Sequence, residues 1–210
     1  MGIFYDYTDS TYVINYDAID EVVKTTVTAS GAVAADWVDE ILRIHWRRLN
    51  RLIVGFDIEW CPHGWHGTSG ENPAALLQLC VGRRCLIFQL IHCDYIPEEL
   101  SDFLLDYRFR FVGVGIHADL QKLDNDYGLE VENALDLRYL AAENMDRPIM
   151  REWGLQTLVS EFMGAHMVKP TSVSLSDWGR RALTQEQIEY AALDAFTSFE
   201  IGRRLVVGEY

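Results

Sequence analysis

The residues from Leu52 to Trp60 form the most apolar run of the chain, and two carboxylates, Asp57 and Glu59, interrupt its end. A short apolar run rich in β-branched residues predicts a buried strand. Because side chains alternate along a strand, both acids are expected on one face. Two like charges on a partly desolvated face repel each other, and a bound cation removes that cost. The run therefore predicts a core strand with a cation site at its end.

The remaining patterns predict a single α/β domain, in which strands precede most of the helices. Strands are predicted over residues 11–17, 51–60, 74–81, 85–91 and 109–116, and helices over residues 34–50, 97–106, 118–127, 135–144, 154–163 and 184–206. The Gly/Pro/Asn-containing stretch 62–73 and the short turn 82–84 predict antiparallel hairpins among the second, third and fourth strands. Thr184, with Gln187 three residues later, predicts a capping box for the last helix. We assign residues 1–210 to one domain, with residues 1–50 as an N-terminal extension and residues 51–206 as the core.

The composition excludes several classes of protein. The chain has 210 residues, of which 49% are hydrophobic and 24% charged, and this is ordinary globular composition rather than that of a disordered chain. No apolar run approaches the ~18 residues of a membrane-spanning helix. The net charge of −14, from 18 basic and 32 acidic residues, opposes broad electrostatic binding to a polyanion. Any nucleic-acid role therefore needs a local site, where bound divalent cations would reverse the sign of the field.

The start of the chain and its cysteines indicate a reducing compartment. The start has no basic segment followed by an apolar core, and Asp6 stands where a myristoylation signal needs Ser or Thr. We therefore expect neither secretion nor a lipid anchor. Cys61, Cys80, Cys85 and Cys93 include no CxxC pair, and a chain of this size needs no cross-links. The expectation is four free thiols and a cytoplasmic or nuclear location.

Three further polar residues stand out against their surroundings. Asp119 follows the apolar run 111–116, where a strand turns into a helix, and the alternative role there is a helix cap. Tyr190 and Asp194 are four residues apart in the last predicted helix and so share one side of it. Taken alone, that pair is as readily a solvated polar position beside a core tyrosine. The order of all these residues along the chain decides between the interpretations.

A D-x-E strand, an Asp after a glycine-containing apolar run and a late Y-x-x-x-D helix together resemble the DEDD superfamily of 3′→5′ exonucleases, in its tyrosine-containing branch. Residues 56–60, 112–123 and 190–194 resemble the three motifs of that family, and residues 176–187 resemble the segment before the third motif in Werner-type exonucleases and ribonuclease D. More narrowly, with residues 24–28 and 76–82 included, the chain resembles the small stand-alone Werner-like exonucleases of plants.

The resemblance implies a fold and a mechanism. The fold is a ribonuclease-H-like mixed sheet of five or six strands flanked by helices. The activity is hydrolysis of single-stranded nucleic acid from its 3′ end, with two Mg²⁺ or Mn²⁺ ions and release of nucleoside 5′-monophosphates. By resemblance, Asp57 bridges both ions, Glu59 and Asp194 bind the ion on the nucleophile side, and Asp119 holds the other mainly through water. Tyr190 orients the attacking water.

Substrate and partners are expected on weaker grounds. RNA is slightly favoured over DNA, because the chain is short and carries no helicase or other DNA-repair domain. Trp60 is a candidate for stacking on a terminal base, or else a core or rim tryptophan. Arg180 and Arg181 are candidates for phosphate contacts, or else ordinary exposed arginines. The resemblance also implies an Argonaute (RISC) complex or a helicase as partner, and a ring-shaped hexamer.

Three alternatives stay open at this point. The first is a non-catalytic nucleic-acid-binding or scaffolding module, although such a module has no need of several carboxylates close together. The second is an endonuclease with similar metal ions. The third concerns Cys61, His63 and His66, which offer zinc ligands but lack the regular paired spacing of zinc fingers and a second Cys/His pair nearby.

Overall fold

The computed structural model of the chain describes residues 10–16, 21–62 and 72–208. Seven strands are present in these ranges, namely β1 (Ser10–Tyr16), β2 (Glu21–Thr28), β3 (Ile53–Trp60), β4 (Ala74–Val81), β5 (Arg84–Phe88), β6 (Arg110–Gly113) and β7 (Ala134–Asp136). The α-helices are α1 (Gly31–His45), α2 (Glu98–Leu105), α3 (Ile116–Tyr127), α4 (Leu137–Asn144), α5 (Leu155–Met163), α6 (Thr171–Ser174) and α7 (Gln185–Val207). None of the helices in these ranges is long and apolar enough to span a membrane.

The strands form one mixed sheet in the order β1-β2-β5-β4-β3-β6-β7. Strand β4 pairs antiparallel with β3 on one side and with β5 on the other, as predicted. Strand β2 pairs with β5 in parallel, and so do β3 with β6 and β6 with β7. The predicted mixed α/β class is confirmed, but the described part of the sheet has seven strands rather than five or six.

Two strands, β2 and β7, were not predicted as strands: β2 is rich in Val and Thr, which favour a strand, whereas β7 is very short. Strand β2 continues the sheet from β1, so the N-terminal region contributes two strands and a helix to the described structure, not one strand and a helix. Strand β7 has only three residues, too few to show alternation, and the predicted helix over residues 135–144 includes its last two. That helix instead begins at Leu137, because the side chain of Asp136 accepts a hydrogen bond from the backbone N–H of Arg138 and caps it.

Helices cover both faces of the sheet. Helices α1, α2 and α3 pack on one face, around a core that includes Trp37, Phe103 and Phe111. Helices α4, α5 and α7 pack on the other face. Since β3 is central in the sheet and buried along most of its length, its two faces separate these cores.

Helix α7 lies unusually close to β3 at Gly55. A methyl group added to Gly55 would lie 1.9 Å from the carbonyl oxygen of Ala195 and 2.7 Å from the backbone nitrogen of Phe199. Only a residue without a side chain fits at that distance. Gly55 therefore fixes how closely the acidic end of β3 approaches the acidic side of α7.

The cysteines differ from the expectation. Cys80 and Cys85 form a disulfide, so the prediction of four free thiols is wrong, while Cys61 and Cys93 are free. The reason is the register of the β4–β5 hairpin, which places Cys80 directly opposite Cys85 with their Cα atoms 4.1 Å apart. The absence of a CxxC pair excludes one arrangement of cysteines, but not a pair brought together across two strands.

Replacement of Gly55 by alanine tests the close contact. Because the backbone of α7 would have to move, we expect Gly55→Ala to lower the free energy of unfolding by about 3 kcal/mol. The control is Gly154→Ala, since no atom lies within 4 Å of the added methyl group there. Urea unfolding followed by circular dichroism measures both, and equal stabilities of the two variants would contradict the packing.

Candidate functional site

Three carboxylates come together where β3 passes under α7. Asp57 and Glu59 from β3 and Asp194 from α7 each place an oxygen within 4.8 Å of the others. The alternation of β3 puts Asp57 and Glu59 on the face that α7 covers, as predicted. The i,i+4 relation of Asp194 to Tyr190 turns both of those side chains toward the same place. The cluster is thus assembled from two elements that Gly55 allows to approach closely.

Burial raises the pKa of every acid in this cluster. The side chain of Asp194 is only 1% exposed, and its pKa is raised to about 6 by desolvation, against the lowering effect of Lys169. Desolvation also raises the pKa values of Asp57 and Glu59 well above their ordinary range, and the neighbouring carboxylates add to both shifts. Without a cation, the cluster therefore retains protons that free carboxylates would release.

Asp119 lies beside this cluster but is not one of the three converging carboxylates. It stands in the first turn of α3, whose N-cap is Gly115 and has no side-chain cap hydrogen bond, so the alternative role of helix cap is not what the structure has. Burial and the nearby Asp136 raise the pKa of Asp119 to about 7, while Arg138 lowers it. Asp119 in turn raises the pKa of Asp57, which shows that the two carboxyl groups are electrostatically linked.

The start of α3 is held by a residue that the sequence reasoning did not single out. Asp136 Oδ2 accepts a hydrogen bond from the backbone N–H of Gly115 at 3.1 Å, and the same carboxylate pairs with Arg138 at 2.7 Å. Gly115 has φ +75°, a conformation that favours glycine. Asp136 therefore fixes the turn from which Asp119 projects.

Lys169 is the second residue that the sequence reasoning missed. Its Nζ lies 2.6 Å from Asp194 Oδ2 and 4.8 Å from the centre of the Tyr190 ring. It precedes the four-residue helix α6 in a segment without a periodic pattern, so nothing in its neighbourhood marks it. Lys169 places a positive charge against the carboxylates and the phenol.

Tyr190 contacts both Lys169 and Trp178. Trp178 is fully buried, and its ring centre lies 5.8 Å from that of Tyr190. Desolvation and the charge of Asp194 raise the pKa of Tyr190 to about 12. The phenol therefore keeps its proton at neutral pH and can donate a hydrogen bond.

The segment before α7 is anchored by hydrogen bonds. The predicted capping box is confirmed: the side chain of Thr184 accepts from the backbone N–H of Gln187, and the side chain of Gln187 accepts from that of Thr184. The amide nitrogen of Gln187 donates to Ser176 Oγ and to the backbone oxygen of Asp177, both at 2.9 Å. These bonds position Trp178, and through it Tyr190.

Cys61 belongs to the same anchor. Its Sγ accepts a hydrogen bond from the backbone N–H of Gly179 at 3.1 Å. Burial raises the pKa of its thiol, which disfavours the thiolate that a zinc site needs. The other two residues of the zinc alternative, His63 and His66, lie outside the described residues.

The candidate substrate contacts are Trp60, which follows Glu59 on β3, and two arginines in the loop before α7. Trp60 is 38% exposed, and Lys122 Nζ lies 5.6 Å from the centre of its ring. Arg180 and Arg181 are exposed, while their backbone oxygens accept hydrogen bonds from the side chain of Gln89. Because these hydrogen bonds use backbone oxygens, they leave the side chains of both arginines available for other contacts. Contact of these three residues with a substrate stays a prediction.

The donor set fits a hard divalent cation. The three converging ligands are all carboxylates, the donors that Mg²⁺ and Mn²⁺ prefer, and no thiol or imidazole accompanies them among the clustered groups of the described residues. Burial keeps their pKa values raised even with Lys169 present, so a bound cation would favour their ionised forms. Asp119 supplies a fourth carboxylate at the side. The residues therefore suit Mg²⁺ or Mn²⁺ and do not suit zinc in a thiolate site.

Comparison with known proteins agrees with this geometry. A family model described as 3′-5′ exonuclease matches residues 32–207. A 3′-5′ exonuclease of Arabidopsis thaliana is 32% identical over 149 residues, which cover 70% of this chain and 50% of that protein. The mouse bifunctional 3′-5′ exonuclease/ATP-dependent helicase WRN is 32% identical over 154 residues, covering 73% of this chain and 11% of that protein. The chain thus spans half or less of the length of these two relatives.

A solved structure shows the same fold. Escherichia coli RNase D, described as an exoribonuclease involved in structured RNA processing, superposes with a TM-score of 0.69 at 23% identity. The match covers 86% of this chain and 44% of RNase D. The predicted architecture of a mixed sheet flanked by helices is therefore shared with a known nuclease fold.

Lys169→Met tests the charge balance of the cluster. In chelator, the variant should lose about 2–3 kcal/mol of unfolding free energy, because it removes the cation paired with buried Asp194. With saturating Mg²⁺ the loss should shrink, since the ion supplies the missing charge. Lys24→Met is the control, because Lys24 is 48% exposed in a surface pair with Glu40. An equal loss for Lys169→Met with and without Mg²⁺ would contradict the assignment.

The raised pKa values predict a pH dependence. The native protein in chelator keeps protons on Asp119 and Asp194 that the unfolded chain releases near pH 4, so unfolding free energy should fall as pH rises from about 5 to about 7. His45, whose pKa is lowered, acts in the opposite sense. The variant Asp119→Asn keeps the contribution of His45 to the pH dependence of the unfolding free energy and removes the contribution of Asp119. Urea unfolding should therefore show a steeper fall for the wild type than for Asp119→Asn; parallel curves would refute the shift.

Proposed function

This chain belongs to the 3′-5′ exonuclease family, and on that premise we propose that it is a metal-dependent nuclease that shortens single-stranded nucleic acid from the 3′ end. The observation that carries the proposal is the convergence of Asp57, Glu59 and Asp194 on one point. A protein that only binds a partner gains nothing from keeping three like charges together in a partly buried place. The products are nucleoside 5′-monophosphates.

The carboxylates have distinct places in this proposal. Asp57, Glu59 and Asp194 would bind the metal ions directly, and Asp119 would contribute from the side, mainly through water. Two bound Mg²⁺ or Mn²⁺ ions would supply charge stabilisation at the attacked phosphate and at the departing 3′ oxygen. The raised pKa values of the acids mean that binding of the ions displaces protons, so affinity for the metal should increase with pH.

Tyr190 positions the attacking water. A phenol with a pKa of about 12 is almost fully protonated at neutral pH and is a poor general base. Its hydroxyl can donate a hydrogen bond to the attacking water and so fix its direction. Trp178 and Lys169 both contact the ring and limit its movement. Tyr190 thus contributes orientation, while the acid cluster provides the metal site.

The substrate end is proposed to lie over the rim of the cluster. Trp60 is placed to stack on a terminal base, and Arg180 and Arg181 are placed to contact phosphates. RNA is proposed as slightly preferred over DNA, which rests on the resemblance to exoribonucleases. The same resemblance supports an Argonaute complex or a helicase as partner and a ring-shaped assembly, and light scattering would measure the assembly.

A graded pair of variants tests the activity. With 5′-labelled single-stranded RNA and the matching DNA, the wild type should give a ladder that shortens from the 3′ end in Mg²⁺ or Mn²⁺ and not in chelator. Asp57→Asn should abolish metal-dependent cleavage, because it removes a carboxylate ligand. Tyr190→Phe should reduce the rate about 100-fold, while metal binding measured by calorimetry stays unchanged, because only the orientation of water is lost.

The control variant is Asp39→Asn, which changes an exposed acid on α1. It should match the wild type in rate and in metal binding. Full activity of Asp57→Asn, or activity of the wild type in excess chelator, would refute the metal assignment. Cleavage of circular single strands would show an endonuclease instead, and a folded, metal-bound protein that cleaves neither substrate would favour the scaffold.

A further inference from the structure

A cavity lies at the opposite end of β3 from the acid cluster. It has a volume of about 640 Å³ and lies between the start of β3, the β4–β5 turn and the C-terminal half of α7. Ile53 lines it, whereas Asp57 is four residues further along the same strand, roughly 13 Å away at the rise of a β-strand. The cavity and the acid cluster are therefore separate sites.

The polar lining of this cavity is mainly cationic. It contains four arginines and one acid, Glu200, and the arginines are Arg48, Arg51, Arg83 and Arg203. The chain as a whole has a net charge of −14 with 18 basic residues. A concentration of positive charge in such an acidic chain creates a local field opposite to that of the rest of the surface.

The single acid does not cancel this field. Glu200 Oε1 lies 2.8 Å from both Arg203 Nη2 and Arg204 Nε, so its charge is shared between two guanidinium groups. Arg48 and Arg51 are exposed. Arg48 also donates from Nε to His45 Nδ1 at 3.3 Å, which holds it over the cavity. The arginine edge is thus partly preorganised and open to solvent.

The rest of the lining is apolar. Phe196 and Phe199 come from α7, and Leu52 and Ile53 come from the start of β3. Phe196, Leu52 and Ile53 are buried and hold the wall in place, whereas Phe199 is half-buried and leaves apolar surface accessible to a ligand. The site combines an aromatic and aliphatic wall with an edge of guanidinium groups. Its volume is that of a site for a small organic ligand.

We propose that this cavity binds a nucleotide, with its phosphate on the arginines and its base against the apolar wall. Guanidinium groups match the oxygens of a phosphate in bidentate geometry, and the phenylalanine wall offers a flat base an apolar contact. The ligand is either a free nucleoside monophosphate or a nucleotide within a nucleic-acid strand. An acidic peptide would use the arginines but leave the apolar wall unfilled.

Binding measured in chelator tests this proposal separately from catalysis. Calorimetry with 5′-AMP in excess chelator leaves the acid cluster without metal, so the outcome does not depend on the nuclease activity. Adenosine measures the contribution of the phosphate. Arg51→Glu should weaken 5′-AMP binding at least about tenfold and leave adenosine binding nearly unchanged. Arg43→Glu, an exposed arginine outside the cavity with the same change of charge, should weaken 5′-AMP binding less than twofold.

A second ligand and a second variant complete the test. Competition between 5′-AMP and a single-stranded RNA of ten nucleotides distinguishes a free nucleotide from a nucleotide within a strand. If the RNA displaces 5′-AMP at a concentration lower than that of 5′-AMP, the cavity binds the strand. If the RNA does not displace 5′-AMP, the cavity binds the free nucleotide. Arg51→Gln replaces Arg51→Glu if the latter is unfolded by circular dichroism. Failure of 5′-AMP to bind, or equal binding by wild type and Arg51 variants, overturns the proposal. A third outcome is that 5′-AMP does not bind, while light scattering shows an assembly of the wild type that Arg51→Glu does not form. That outcome would assign the cavity to a second copy of the chain.

Discussion

The close approach of α7 to β3 is the contact on which the rest of the molecule depends. Gly55 allows the backbone of α7 to lie against that of the strand. Any other residue at this position would push α7 away from β3 and so separate Asp194 from Asp57 and Glu59. Those acids repel one another, so their proximity is imposed by packing elsewhere. The apolar cores on both faces of the sheet supply that packing. The acid cluster is therefore stabilised against its own charge by residues that take no part in chemistry.

Much of the site could be predicted from short-range patterns. Strand alternation places Asp57 and Glu59 on one face, and helical spacing places Tyr190 and Asp194 on one side of α7. Each of these inferences uses residues within a few positions of one another. The capping box at Thr184 is of the same kind and was confirmed.

What could not be predicted depends on contacts between distant segments. Lys169 reaches Asp194 from a segment with no periodic pattern, and Asp136 reaches Gly115 across two strands of the sheet. The disulfide follows from the register of a hairpin, which an even count of cysteines does not reveal. The three-residue strand β7 forms because β6 offers it an edge, not because its own residues favour a strand. In each case the local structure depends on a contact with a distant segment, and the residues nearby in the sequence do not indicate that contact.

Helix α7 connects the two sites of the protein along a single rigid element. Asp194 faces the acid cluster, and Glu200 and Arg203 face the arginine-lined cavity. Each residue of an α-helix advances its direction by about 100°. Inserting or deleting one residue between Asp194 and Arg203 would therefore turn one end of the helix away from its site, even if every side chain were kept. In this segment, the number of residues is therefore constrained as well as their identity.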